Sequence, residues 1–262
     1  LQSLRAAFGL GRRATSKIIP IALVIIAALP AIIQLGVAAA ASNDIDIVEP
    51  QNYYEYVQVV LFLFVAAVGP ELVGRDQRNR TLTLYFSRPI LRSDYALAKL
   101  AAMATALLFL TLVPQTIMFI GNAFAGNDAT EYLKDNLDQV FPIVASAVFT
   151  SVFMGAIGLA ITAQTPRRAY STGAILAVFV VSAAIASILL NTIEGTTGRY
   201  LYLAGLDSMD RGLTFWLFNA TPDADSDLGK ADLPGIVYLI AVLAVTAVAT
   251  YILVRRYEKM SE

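Results

Sequence analysis

The sequence predicts an all-α membrane protein, with one N-terminal helix lying in the membrane interface and six transmembrane helices after it. Three observations carry that prediction. Mean hydropathy is +0.65 and 57% of the 262 residues are hydrophobic, well above the roughly 45–50% apolar content of a soluble domain. The apolar residues gather in six runs of about the 20 residues needed to cross a bilayer. Lys and Arg concentrate in alternate loops, the pattern that cytoplasmic loops impose on a multi-pass chain.

Residues 1–17 place Leu1, Leu4 and Phe8 on one helical face and Gln2, Arg5, Arg12 and Arg13 elsewhere, as an interfacial helix requires. Gly9 and Gly11 weaken helix propensity, so a disordered basic leader is the competing reading. The first span is expected over residues 18–41, with Pro30 kinking it. A signal peptide competes there, because Arg12, Arg13 and Lys17 precede the apolar run and AAAAS ends it, but the run exceeds the roughly 7–15 residues of a signal core. An acidic loop carrying Asp44, Asp46 and Glu49 leads to the second span, residues 55–73.

Residues 74–94 form a short Arg-rich segment, and the third span follows over residues 95–121 with Pro114 as a second kink. The next loop is acidic again, with Asp128, Glu131, Asp135 and Asp138 against Lys134 alone. The fourth span, residues 140–163, returns to a loop holding Arg167 and Arg168; the fifth covers residues 172–192. Residues 193–234 are the longest polar stretch, and the sixth span, residues 235–254, ends at RRYEK. Of the 19 Lys and Arg, only Lys134, Arg199, Arg211 and Lys230 fall on the side opposite the basic loops. Both termini are therefore expected in the cytoplasm of a cell whose inner or plasma membrane holds the protein.

Composition excludes several chemistries. Without Cys or His there are no disulfides, no thiolate or imidazole metal sites, no Cys nucleophile and no Ser–His triad. The polar residues within the spans, such as Gln34, Gln58, Gln115, Ser146 and Thr150, include no ionisable group in mid-membrane, which argues against a proton relay. Ser151 with Gly155, and Ala183 with Ser187, offer small residues at helical spacing for close packing. The one Gly-Lys pair, Gly229 and Lys230, has Ala231 and Ala224 where a phosphate loop needs Ser or Thr and Gly. If ATP drives this chain, the energy has to arrive through a cytoplasmic contact.

The Arg-rich segment is the candidate contact. It carries Arg75, Arg78, Arg80, Arg88 and Arg92 against Asp76 and Asp94. TLTLY alternates like a strand, while Leu82, Tyr85 and Phe86 also fall at i, i+3 and i+4, so strand and amphipathic helix both fit the period. Asp76 is placed to cap such a helix, Pro89 to end it, and Ser93 or Asp94 to cap the third span. A plain positive-inside anchor is the competing reading.

The stretch RDQRNRTLTLYFSRPILRSDYALAKL resembles the turn after the second span in permease subunits of type-2 ABC exporters. There it often reads E-R-x-x-G-T-L-x-x-L-x-S-x-P-[IL]-x-R before a Gly-Lys-Leu entry to the third span. Asp76, Thr81, Leu82, Ser87, Pro89, Ile90, Arg92, Lys99 and Leu100 match; Arg80 and Ala98 stand where Gly is common. The residue-level match covers about residues 75–100, and the plan of interfacial helix and six spans covers essentially the whole chain.

The resemblance implies a coupling helix seated in a separately encoded ATPase subunit, with Arg75, Asp76, Arg78, Arg80, Thr81, Leu82, Leu84, Tyr85, Phe86 and Pro89 as the contact. Arginine suits the task because its planar fork pairs with carboxylates and stacks on aromatics. It implies two ATPase subunits, a second permease copy, identical or different, and membrane lipid as partners, with no nucleic acid. This chain is expected to hold no cofactor and to be no enzyme, ATP and magnesium residing on the ATPase.

The resemblance also implies that the second and fifth spans line the path, with Gln58 and Phe62 on one and Phe179, Ala183, Ser187 and Asn191 on the other. That lining favours outward transport of a hydrophobic or amphipathic cargo such as a drug, lipid or peptide-like molecule. Lipid-facing packing accounts equally well for the apolar residues.

The Leu, Phe and Trp216 of residues 193–234 suggest short helices dipping back into the outer interface; the resemblance implies that they form an external gate, with an aromatic interface anchor as the alternative. Asp223, Asp225 and Asp227 begin like a calcium loop, but Leu228 and Pro234 replace its Gly and Glu. Asn219 with Thr221 forms a glycosylation sequon, without meaning in the bacterial host expected here. The runner-up to the exporter is a non-transporting membrane scaffold or sensor that recruits a cytoplasmic protein through its basic face.

Overall fold

The computed structural model describes residues 15–40, 50–73, 92–125, 129–165 and 167–259. Among these the secondary structure is entirely helical, and six helices are long and apolar enough to cross a membrane. The spans are α1 (Thr15–Ala40), α2 (Tyr53–Leu72), α3 (Arg92–Ala125), α5 (Val140–Gln164), α6 (Arg168–Thr192) and α10 (Gly235–Lys259). Between α3 and α5 lies the short α4 (Ala129–Asp135); between α6 and α10 lie α7 (Thr196–Leu201), a 3-10 turn (Tyr202–Ala204), α8 (Leu206–Leu217) and α9 (Asp227–Ala231). Residues 1–14 of the expected interfacial helix and 74–91 of the Arg-rich segment fall outside the described residues, while residues 15–17 and 92–94 open α1 and α3.

The bundle is built around α2 and α5, the most buried spans, while α6 and α10 present apolar flanks outward. Helix α5 packs on α3 and α10, α3 on α1, and α2 on α6. Without a hydrophobic drive in lipid, such contacts rest on close approach and polar links. Gly158 allows the approach of α5 to α2, since a Cβ there would collide with Val65. Gly155 faces Met103 and the Ala104 backbone of α3.

Two of the prolines inside the spans, Pro114 and Pro70, are plugged by neighbouring helices. Pro114 has no amide for the carbonyl of Leu110, four residues earlier, and the Tyr53 hydroxyl reaches that oxygen at 3.0 Å. The same hydroxyl lies 3.2 Å from the Ala27 carbonyl of α1, so one residue of α2 ties α1 and α3 together. Pro70 likewise frees the carbonyl of Ala66, and Thr172 Oγ1 of α6 donates to it at 2.9 Å. Helices α1 and α3 run unbroken through Pro30 and Pro114.

Candidate functional site

At the basic end of the bundle, cations lie on tyrosine rings: Lys99 over Tyr95, Arg167 over Tyr170 and Arg255 over Tyr251, at 5.2, 5.6 and 5.7 Å from the centroids. Tyr95 meets Tyr257 edge to face at 5.2 Å. Arg256 Nε donates to the Ala163 carbonyl at 3.2 Å, capping the last turn of α5 where the helix dipole favours a cation. These groups frame the place where α2 ends at Leu72 and α3 begins at Arg92. Arg75, Asp76, Arg78, Arg80, Thr81, Leu82, Leu84, Tyr85, Phe86 and Pro89 all lie outside the described residues.

Helix α2 is fastened to α6 along an antiparallel seam. Arg168 pairs with Glu71 at 2.7 Å at the basic end. Thr172 holds the Ala66 carbonyl, and Phe62 stacks face to face on Phe179 with centroids 4.2 Å apart. Of the expected path residues, Gln58, Phe62 and Phe179 are buried within the protomer, Ala183 is half-buried and Asn191 is exposed. The Gln58 Nε2 is enclosed without a hydrogen-bond partner. Ser187 and Asn191 reach a different target: both donate to the carboxylate of Asp227, at 2.6 and 3.2 Å.

Asp227 therefore anchors α9 to the acidic end of α6. The Ser187 bond, with help from Asn191 and Lys230, holds its carboxyl below the usual range. Its side chain is turned to α6 rather than grouped with Asp223, whose Oδ1 accepts from the Asp225 amide at 3.1 Å. Arg211 of α8 pairs with Glu55 of α2 at 3.3 Å, and Arg199 with Asp232 at 3.7 Å. Trp216 is 44% exposed and packs across Gly235, on a cleft of about 140 Å³ that Phe215, Leu233 and Tyr238 also line.

One functional candidate was missed by searching the spans alone. Asp210 of α8 is 1% exposed and accepts from Thr150 Oγ1 at 2.8 Å. Thr150 lies ten positions into α5, about 15 Å along it at 1.5 Å per residue. The expectation of no ionisable group in mid-membrane concerned residues within the spans, and Asp210 is not one of them: α8, a helix outside the spans, brings a buried carboxyl against α5. Beside it the Tyr54 hydroxyl donates to Ser146 Oγ at 3.2 Å. Gln115 of α3 and Ser151 of α5 are buried with unpartnered polar atoms. A sequence signal did exist, since LDSMDRGLTFWL is strongly amphipathic, but only tertiary packing shows where the polar face goes.

Six membrane-length helices among the described residues, around a polar interior layer and with a cationic, tyrosine-lined end, define a multi-pass membrane protein. The chain belongs to the ABC-2 transporter family: the family described as "ABC-2 family transporter protein" matches residues 22–261. It is accordingly a permease subunit of an ABC transporter, a membrane component of a family that is generally not itself catalytic and that associates with an ABC ATPase. No curated protein matches it in sequence.

Proposed function

We propose that this permease exports a hydrophobic or amphipathic cargo, powered by a separate ATPase that docks on residues 74–94. The observation that carries the reading is the Arg-rich segment between α2 and α3, joined at its start to a helix that is itself clamped to α6. Closure of the ATPases moves the segment, α2 follows, and the Glu71–Arg168 pair, the Thr172 bond and the Phe62–Phe179 stack pass the motion to α6. Two permeases, identical or different, and two ATPases make the working unit, with both termini in the cytoplasm. ATP and magnesium are held by the ATPase, and Arg75, Asp76, Arg78, Arg80 and the apolar Leu82, Leu84, Tyr85 and Phe86 make the contact. Gln58, Phe62, Phe179, Ala183, Ser187 and Asn191 face the path when it opens, and Trp216 stands at its outer gate.

Charge reversal tests this. Arg78→Glu with Arg80→Glu should abolish permease-stimulated ATP turnover and efflux while the chain remains folded in the membrane. Loss of recruitment of a cytoplasmic protein, with efflux and ATP turnover absent in the wild type too, would replace the exporter by a membrane scaffold.

A further inference from the structure

Helix α8 is not a span, yet it packs against α2, α5, α6 and α10 and carries its polar face into them. Its deepest group, Asp210, has one hydrogen bond, from Thr150, and no Lys or Arg pairs with it among the described residues. The cation beside it in sequence, Arg211, is engaged by Glu55. An isolated ionised carboxylate in such surroundings is costly and takes up a proton instead. Burial lifts the Asp210 carboxyl to about 7, with the charge of Asp207 adding to the rise and the Thr150 bond opposing it.

The groups facing it are few. On its own helix these are Asp207, also raised by burial, and Arg211. Tyr54 of α2 has an electrostatic contact with Asp210; the elements packed around α8 also carry Glu55 on α2, Tyr202 on the 3-10 turn, Asp227 and Lys230 on α9, and Tyr238 on α10, whose contacts run to Arg211, Asp207 and one another. Across from Asp210, α5 carries Ser146, Thr150 and Ser151, and Ser182 Oγ of α6 accepts from the Leu206 amide at the start of α8 at 3.4 Å.

We propose that Asp210 is the proton-binding site of a latch: α8 is seated in the bundle with this carboxyl neutral, and leaving its seat toward the acidic side releases the proton to water there. The linkage has a definite sign. The seated carboxyl titrates above its free value, so seating is fully supported below the free carboxylate pKa of about 3.9, weakens as pH rises, and levels off above the seated pKa. This holds whatever the cargo and without any ATPase, so it stands or falls separately from the exporter reading.

Trp216 supplies the probe, being the only Trp of the chain and six positions further along the same stretch. The full-length chain in lipid vesicles is titrated from about pH 5 to about pH 8.5 while acrylamide quenching of Trp216 is followed. Quenching should rise about twofold or more with pH in the wild type, from the level set by the 44% exposed ring of the seated helix, and stay flat at that level in Asp210→Asn. Thr150→Val removes the donor that favours the charged form and should move the midpoint up; Asp207→Asn removes a like charge and should move it down, each by about half a pH unit or more. A flat wild-type titration, an unchanged titration in Asp210→Asn, or midpoints of the other two variants that fail to separate in these directions would overturn the proposal.

Discussion

The clearest energetic test of the bundle is the hydrogen bond from Tyr53 to the carbonyl that Pro114 leaves open. A tyrosine has one proton to donate, and two carbonyls compete for it, Leu110 at 3.0 Å and Ala27 at 3.2 Å. Only Leu110 lacks its helical amide, because residue 114 is proline. Tyr53→Phe should therefore strand a buried carbonyl and cost about 1–2 kcal/mol, in the upper part of the range for polar links between membrane helices. In a Pro114→Ala background the restored amide at 114 satisfies Leu110 from within its own helix. Tyr53→Phe then removes only the approach to Ala27 and should cost about 0.5 kcal/mol or less.

The coupling of the two substitutions, about 1 kcal/mol, is the quantity of interest, because any general effect of the proline replacement cancels in the cycle. Equilibrium unfolding in mixed micelles or bilayers measures all four corners. Additive costs would refute the reasoning, and so would a Tyr53→Phe cost near zero in the wild-type background.

The second proline gives a parallel case across the α2–α6 seam. Thr172→Val should destabilise by about 1 kcal/mol, and Pro70→Ala should suppress most of that loss by giving Ala66 back its amide partner; thermal unfolding of the purified chain reports both. At the close approach of α5 to α2, Gly158→Leu should cost about 1–3 kcal/mol by overpacking against Val65. Val65→Ala in the same chain should recover part of the loss, and failure to do so would place the strain elsewhere.

Much of the architecture is legible in the residues because lipid acts as a uniform solvent: a run such as residues 140–163 has to be a helix wherever its neighbours stand. Membership in the family was legible in RDQRNRTLTLYFSRPILRSDYALAKL, whose spacing of Asp76, Thr81, Leu82, Ser87 and Pro89 carries the resemblance. What the sequence could not show is which side chain of one helix serves the backbone of another. Pro70 and Pro114 announce freed carbonyls, but nothing local says that Thr172, over a hundred residues away, and Tyr53 will fill them. Asp210 escaped notice for the same reason. Its stretch reads as helices dipping into the outer interface, and only packing shows that α8 carries this carboxyl onto Thr150. Ser187 and Asn191, chosen for their regular spacing on the fifth span, are instead the donors that hold Asp227.

The two proline plugs differ in when they become available. A chain made from its N-terminus already carries Tyr53 in the bilayer when Leu110 and Pro114 arrive, so the third span meets its partner at once. Ala66 has no such luck. Its plug, Thr172, enters with the fifth span, after two more membrane crossings have been synthesised. Until then the basic end of the second span holds an unpaired carbonyl, although Gly69 in its last turns already lies against Thr162 and Met103 of the fourth and third spans. The order of insertion therefore makes the fifth span the step that completes the second, and a chain stopped before residue 172 presents to the membrane quality-control machinery an unfinished helix.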